Sequence, residues 1–229
     1  MVKSCPAVNV RIPEKGYKHL LNPEILNASS RPILGERIFS NWGACKPVPE
    51  RRARSVRPHE KVSLGEFELE YIPAPGHAPH HNVLRAQKQS IVFSADALGI
   101  FDPITNSIIP TTPPPSFKLD QALQDIQTVK DLNPDLVCLA HFGEVLPDPN
   151  FYENVKKTFV EWADIVWSYV KDHEQEKYEN TDHEQIFAAL IKKWPNYQAL
   201  SEDLKEQVSR VDVGGLLNYY IRSRNSQCS

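Results

Sequence analysis

The sequence predicts an α/β fold followed by a C-terminal helical region, and three patterns carry that prediction. Residues 61–97 alternate apolar and polar side chains as half-buried strands do, residues 119–140 read as a helix and then an apolar strand, and from 151 onward apolar residues recur at spacings of three and four. With 229 residues, 41% hydrophobic and 24% charged, the chain has the composition of an ordinary globular protein of one domain, or one plus an appendage. That composition excludes a disordered tail and a collagen-like fibre. No run approaches the roughly 18 apolar residues that span a bilayer. Lys3, Pro6, Arg11, Pro13, Lys15 and Pro23 also interrupt the opening of the chain where a secretory signal needs an apolar core, so a cytoplasmic protein without membrane contact is expected. A net charge of −3 gives no pull towards nucleic acid, and a small molecule is the expected partner.

Taken in order, Val8, Val10 and Ile12 alternate with polar neighbours as a strand, which ends in a turn over Pro13 to Gly16. A long proline-punctuated stretch without regular structure is expected from about 22 to 60. Its basic run, Arg51-Arg52-Ala53-Arg54-Ser55-Val56-Arg57, reads as a solvated loop, since it lacks the interleaved aromatics of a nucleic-acid surface. Val62 and Leu64, a turn at Gly65-Glu66, and then Phe67, Leu69 and Tyr71 form a hairpin with one wet face. Val83-Leu84 pairs with Ile91-Val92-Phe93 across a turn at Gln87 to Gln89, and this second hairpin ends at Ser94-Ala95-Asp96.

Leu119, Ala122, Leu123, Ile126 and Val129 keep helical spacing. After Asn133-Pro134 the apolar strand 136–140 ends at His141, with Cys138 as a small hydrophobe inside a buried strand. Phe151, Val155, Phe159, Trp162, Val166 and Val170 form a core-packing helical stripe. Thr181 with Glu184 makes a capping-box pattern ahead of Ile186, Phe187, Leu190 and Ile191, and a further helix from Ser201 carries Leu204, Val208 and Val211. The polar stretch 171–182 reads as a flexible joint. The expected division is an α/β part over 1–148 and a helical region over 149–229.

The cysteines at 5, 45, 138 and 228 have no C-x-x-C spacing and read as single thiols. Of the histidines, those at 19, 59, 173 and 183 stand alone and carry no functional claim. His77, Asp96 and His141 differ from them because each closes a predicted strand at a loop. Strand ends on one edge of an α/β sheet bring side chains from distant sequence together. Imidazole nitrogens with a carboxylate suit zinc, iron or manganese.

Four segments, Tyr71-Ile-Pro-Ala-Pro-Gly-His-Ala-Pro-His-His81, Phe93-Ser-Ala-Asp-Ala-Leu98, Pro110-Thr-Thr-Pro-Pro-Pro-Ser-Phe117 and Leu139-Ala-His-Phe-Gly143, resemble consecutive motifs of the metallo-β-lactamase superfamily in order and spacing. They are nearest to its glyoxalase-II-like (hydroxyacylglutathione hydrolase-like) hydrolases. Lys18-His-Leu-Leu-Asn-Pro23 and Val213-Gly-Gly-Leu-Leu217 resemble the same branch. The resemblance implies an αββα sandwich with a two-metal site at the sheet edges, hydrolysing an ester, thioester or lactone with hydroxide held on the metal. By it His77 ligates the first metal, Asp96 bridges both and is the catalytic carboxylate, and His141 ligates the second. Zinc, iron or manganese would be the ion, and His80 and His81 would flank the ligands.

The superfamily's leading His-x-His-x-Asp-His motif is absent from this sequence. The resemblance therefore implies an N-terminally incomplete fold, with 1–148 as its later part. Each ion keeps two protein ligands, where a catalytic zinc keeps three and a water. Weak or absent metal binding and little activity follow, with a non-catalytic remnant or binding module of the same fold as the alternative. An open sheet of this kind implies self-association or a complementing N-terminal segment. Substrate choice is expected to lie in the Pro110–Pro115 loop and the helical region.

Overall fold

The computed structural model of the chain describes residues 7–141, 143–172 and 180–227. The chain opens with strand β1 (Val10–Pro13), helix α1 (Glu14–Leu21), helix α2 (Glu24–Trp42) and strand β2 (Ala53–Val56), which pairs parallel with β1. This differs from the turn expected at Pro13 to Gly16 and the irregular stretch expected over 22–60. Pro13 and Pro23 each precede a first helical turn, where a missing N–H breaks no bond, and Pro32 lies inside α2. Within α2 the break falls at Gly35, whose φ of 78° only glycine adopts freely.

Asn27 ties the segment after α2 back onto it, its side chain accepting the Cys45 N–H at 2.8 Å and donating to the Cys45 carbonyl at 2.9 Å. The basic run is likewise ordered rather than a solvated loop. Ala53 and Val56 are buried, Arg54 and Ser55 face out, and the Arg52 guanidinium donates to the Val8 carbonyl at 2.6 Å.

The central sheet has six strands in the order β10-β9-β6-β5-β4-β3. It comprises β3 (Lys61–Leu64), β4 (Phe67–Pro73), β5 (Asn82–Ala86), β6 (Ile91–Ala95), β9 (Leu136–Leu139) and β10 (Glu144–Val145). The two hairpins expected from the sequence are β3–β4 and β5–β6, with Leu64 opposite Phe67 and Leu84 opposite Phe93. Between β6 and its parallel neighbour β9 run the small hairpin β7 (Ile100–Asp102) and β8 (Ser107–Ile109), which the sequence reading lacked, and the expected helix α3 (Leu119–Asp131).

The helical region follows as α4 (Phe151–Asp172), α5 (Asn180–Lys193), α6 (Glu202–Gln207), a π-helical turn (Val208–Asp212) and α7 (Val213–Gln227). Ser201 caps α6 by accepting the Leu204 N–H. Helix covers the ends of the stretch expected to be a flexible joint; its residues 173–179, His173 included, lie outside the described residues, as do Cys5, Cys228 and the Thr181 side chain.

Side chains alternate across strands, so the register sorts the sheet into two faces. Val83, Val92 and Val137 are fully buried and join one core with Ile126 and Val129 of α3 and Phe159 and Trp162 of α4. On the opposite face Tyr71, Leu84, Phe93 and Cys138 lie in register as one row, half-buried, with Phe93 37% exposed. Cys138 is therefore half-exposed rather than interior, because the apolar strand 136–140 has only one fully covered face.

The core passes without a break from the sheet into the helical region. Trp162 packs against Tyr197 at a ring separation of 5.9 Å, and the Tyr197 hydroxyl donates to the Ile108 carbonyl of β8 at 3.1 Å. Trp162→Ala is accordingly expected to lower stability by roughly 3–5 kcal/mol. Urea unfolding followed by circular dichroism and fluorescence should show sheet and helices lost in a single transition; two separate transitions would mean that the shared core does not couple them.

Candidate metal centre

β4 and β6 run in the same direction, each antiparallel to β5, and β9 is parallel to β6. The C-terminal ends of all three strands therefore lie on one edge of the sheet. His77 follows β4, Asp96 follows β6 and His141 follows β9, and the structure brings all three together. His141 Nε2 stands 3.0 Å from Asp96 Oδ1, and His77 Nε2 stands 3.8 Å from Asp96 Oδ2.

Local backbone aims the carboxylate. The β6–β9 register shifts between Phe93 and Ala95, and Ala95 takes a φ of 46°, a left-handed conformation costing on the order of 1–3 kcal/mol for a residue with a side chain. Downstream, the Thr111 hydroxyl donates to the Asp96 carbonyl at 2.7 Å, and the Thr111 carbonyl lies 3.3 Å from His77 Nδ1. A carbonyl only accepts, so in the neutral ring that burial favours Nδ1 carries the His77 proton and Nε2 is bare.

His81 and His80 part company. The Asp96 N–H donates to His81 Nε2 at 3.0 Å, and His81 Nδ1 donates to the Ala74 carbonyl at 2.9 Å. Both ring nitrogens are thus engaged in holding the β4–β5 loop against the start of the Asp96 turn. Because Nε2 is already an acceptor, its 3.9 Å approach to Asp96 Oδ2 is not an ion pair. His80 is exposed on the outer side of that loop, beside Gly16 of α1.

Two buried carboxylates escaped the sequence reading. Asp125 of α3 accepts the Gly76 N–H at 2.6 Å, fixing the residue before His77. Gly76 sits so close to α3 that a β-carbon there would lie 2.4 Å from the Ala122 backbone nitrogen. Asp212, at the end of the π-helical turn, accepts the Thr112 N–H at 2.8 Å. A signal existed for both, since each is a carboxylate set among apolar residues at core spacing: Asp125 between Ala122 and Ile126, Asp212 between Val211 and Val213.

The Pro110–Pro115 loop, expected to select substrate, is buried at Pro110, Thr111 and Thr112 and serves to brace Asp96. Of the histidines given no role, His59 pairs with Glu70 at the surface and His183 lies against the Ser209 carbonyl. A cavity of about 720 Å³ opens elsewhere, between β7–β8, β10 and the Trp194–Tyr197 pair, and none of the gathered residues lines it.

The charges follow from this packing. Burial pushes the Asp96 carboxyl up, but the His141 hydrogen bond and the surrounding imidazoles outweigh it and hold the group below the ordinary carboxylate range. Hydrogen bonding to Asp96 raises His141, whereas burial lowers His77. Burial also pushes the Asp212 carboxyl up to about 8, against the opposing effect of the Thr112 N–H.

His81 is lowered by burial to about 4. It stays neutral in the folded chain where the unfolded chain takes up a proton near pH 6.5. Unfolding therefore binds a proton between about pH 6.5 and 4, and stability is expected to fall on the order of 3 kcal/mol as pH drops through that window. Denaturation midpoints measured from pH 7.5 to 4 test this, and His81→Gln should flatten the slope; an unchanged slope in that variant would remove His81 as its source.

Comparison with known proteins agrees with this architecture. Residues 1–141 match the family model described as the metallo-beta-lactamase superfamily. A curated relative, the metallo-beta-lactamase fold-containing protein ST1585 of Sulfurisphaera tokodaii, is 29% identical over 138 residues, covering 58% of this chain and 51% of the relative. The chain thus spans about half the length of that relative. Among solved structures, that of ST1585 superposes with a TM-score of 0.64 at 22% identity over 91% of this chain and 70% of the other. The metallo-beta-lactamase family protein TTHA1429 from Thermus thermophilus gives 0.58 at 13% identity, over 95% of this chain and 67% of the other. A beta-lactamase domain protein from Burkholderia ambifaria gives 0.57 at 16% identity, over 96% and 60%. Each of the three shares the fold, and the family match over most of the chain decides the question of ancestry: this chain belongs to the metallo-beta-lactamase superfamily.

Proposed function

We propose that the chain carries the later part of a glyoxalase-II-like, two-metal hydrolase site acting on an ester, thioester or lactone, with His77 and Asp96 holding one ion and Asp96 and His141 the other. One observation carries the reading. His77 Nε2 is bare and faces a carboxylate oxygen of Asp96 at 3.8 Å, so two acceptors point at each other in a largely buried site. That arrangement is unfavourable unless a cation lies between them. Zinc takes imidazole nitrogen and carboxylate oxygen at about 2.0–2.2 Å, and both donors can reach an ion so placed. The His77 Nδ1–H on the Thr111 carbonyl is also the backbone contact that orients ligand imidazoles.

The donors fit such ions in kind and fall short in number. Among the described residues no group of three or more His, Cys, Asp or Glu surrounds one point. Asp96 is shared, so each ion would have two donors from this chain. When bound, the metal would supply a water acidic enough to be hydroxide near neutral pH. The chain's own residues do the rest: His81 and Thr111 fix the Asp96 backbone, and Asp125 fixes the His77 loop. The reading includes completion of the donor set by a segment of His-x-His-x-Asp-His pattern from outside this sequence, seated over the half-exposed Tyr71–Leu84–Phe93–Cys138 row that leads to Asp96 and His141. Self-association through the same row is the expected behaviour of the chain without that segment.

Zinc titration by calorimetry, together with assays on thioester and lactone panels, tests the proposal. The chain alone is expected to bind zinc weakly and hydrolyse little. Fused behind a segment that carries the His-x-His-x-Asp-His motif, it is expected to bind two ions tightly and to hydrolyse. Asp96→Ala should then abolish activity, His77→Ala and His141→Ala should each weaken one ion, and His80→Ala should change little. Fusion activity that survives Asp96→Ala, or tight binding of two ions by the chain alone, would contradict the assignment.

A further inference from the structure

Asp212 is 1% exposed and clasps Thr112 at two points. Its Oδ1 accepts the Thr112 N–H at 2.8 Å, and its main-chain carbonyl accepts the Thr112 hydroxyl at 2.6 Å. Among the described residues its buried Oδ2 has no hydrogen-bond partner, a costly arrangement that simple helix packing does not call for. The wide π-helical turn that ends at Asp212 brings its carbonyl and carboxyl to bear on the same residue. Gly215 presses onto that residue as well, since a β-carbon there would lie 1.5 Å from the Thr112 carbonyl oxygen. Thr112 is therefore gripped from one side by the C-terminal helical region. Its neighbour Thr111 is in turn the support of the centre, donating to the Asp96 carbonyl and accepting from His77 Nδ1.

We propose that Asp212 is a positioning residue of the Asp96 centre: by clasping Thr112 it holds the Thr111 carbonyl where His77 must donate through Nδ1, and so keeps His77 Nε2 bare and turned to the Asp96 carboxylate. The inference rests on reading His77 as part of that centre. It is a relay of two adjacent residues, so it acts on the tautomer of one imidazole rather than on the fold as a whole. His81 provides an internal reference, because its own Nδ1–H is fixed by the Ala74 carbonyl and its Nε2 by the Asp96 N–H, neither of which involves Thr112.

The test needs neither metal nor substrate, so its failure is separable from a failure to find hydrolysis. Long-range proton–nitrogen correlation spectra of the complete ¹⁵N-labelled chain, in chelator at pH 7.5, read the tautomer of each neutral imidazole, with His77→Gln assigning the His77 signal. The wild-type chain is expected to show both His77 and His81 protonated on Nδ1. Asp212→Ala should shift His77 to a mixture with the Nε2–H form and leave His81 unchanged, whereas Asp212→Asn, which keeps an oxygen for the Thr112 N–H, should retain the wild-type spectrum. If Asp212→Ala does not fold, Thr112→Val removes the hydroxyl half of the clasp and is expected to shift His77 in the same direction. A His77 that stays wholly Nδ1–H in the folded variant overturns the proposal. So does a shift of His77 and His81 together, which reports general loosening, or an Asp212→Asn spectrum that matches Asp212→Ala.

Discussion

A carboxylate largely withdrawn from water is unfavourable unless charge and hydrogen bonds from the protein replace what the solvent supplied, and Asp96 imposes that constraint on its surroundings. The carboxylate itself is met by His141 after β9, while His81 on the β4–β5 loop and Thr111 after β8 bond the Asp96 backbone N–H and carbonyl and hold the residue in place. The two histidines can arrive because β4 and β9 end on the same edge of the sheet as β6. The left-handed Ala95 and the register shift beside it are local strain accepted at that point. The surrounding bonds outweigh it.

The two neighbouring histidines show how the same residue type divides its labour. His77 presents a bare nitrogen to the carboxylate, whereas His81 spends both nitrogens on backbone groups and stays neutral under burial. One is arranged to receive something and the other to hold the receiver still. Asp125 and Asp212 extend the same logic outward, Asp125 bonding a backbone N–H in the loop that carries His77 and Asp212 one in the loop that carries the supporting Thr111. Through Asp212, Gly215 and Tyr197 the helical region becomes part of the site's support rather than a separate attachment.

The positions of His77, Asp96 and His141 are legible in the sequence because each stands where an alternating or apolar run stops, and two short hairpins with one crossover set the strand directions. The helices over 14–42 are not legible, since a proline before a first helical turn and a proline in a loop look alike locally, and α2 exposes Ile25 and Leu26 where an apolar stripe would have revealed it. Nor can sequence say which of the adjacent His80 and His81 turns inward, because that depends on how the loop returns to β5 at Asn82. Asp125 and Asp212 announce burial by their apolar neighbours but not their partners, which are backbone groups 49 and 100 positions away. Cys138 looked interior because an apolar run does not reveal whether both faces of its strand are covered.

The convergence of Asp96 and His141, 45 positions apart, is the claim on which the rest stands. Nitrogen-15 titration of His141 in the chelator-treated chain tests it most directly. The account predicts that this imidazole holds its proton to a pH above the ordinary histidine value of about 6.5, because it donates to a buried carboxylate, and that Asp96→Asn returns it towards that value. A His141 that titrates at the ordinary value in the wild-type chain and does not respond to Asp96→Asn would contradict the account.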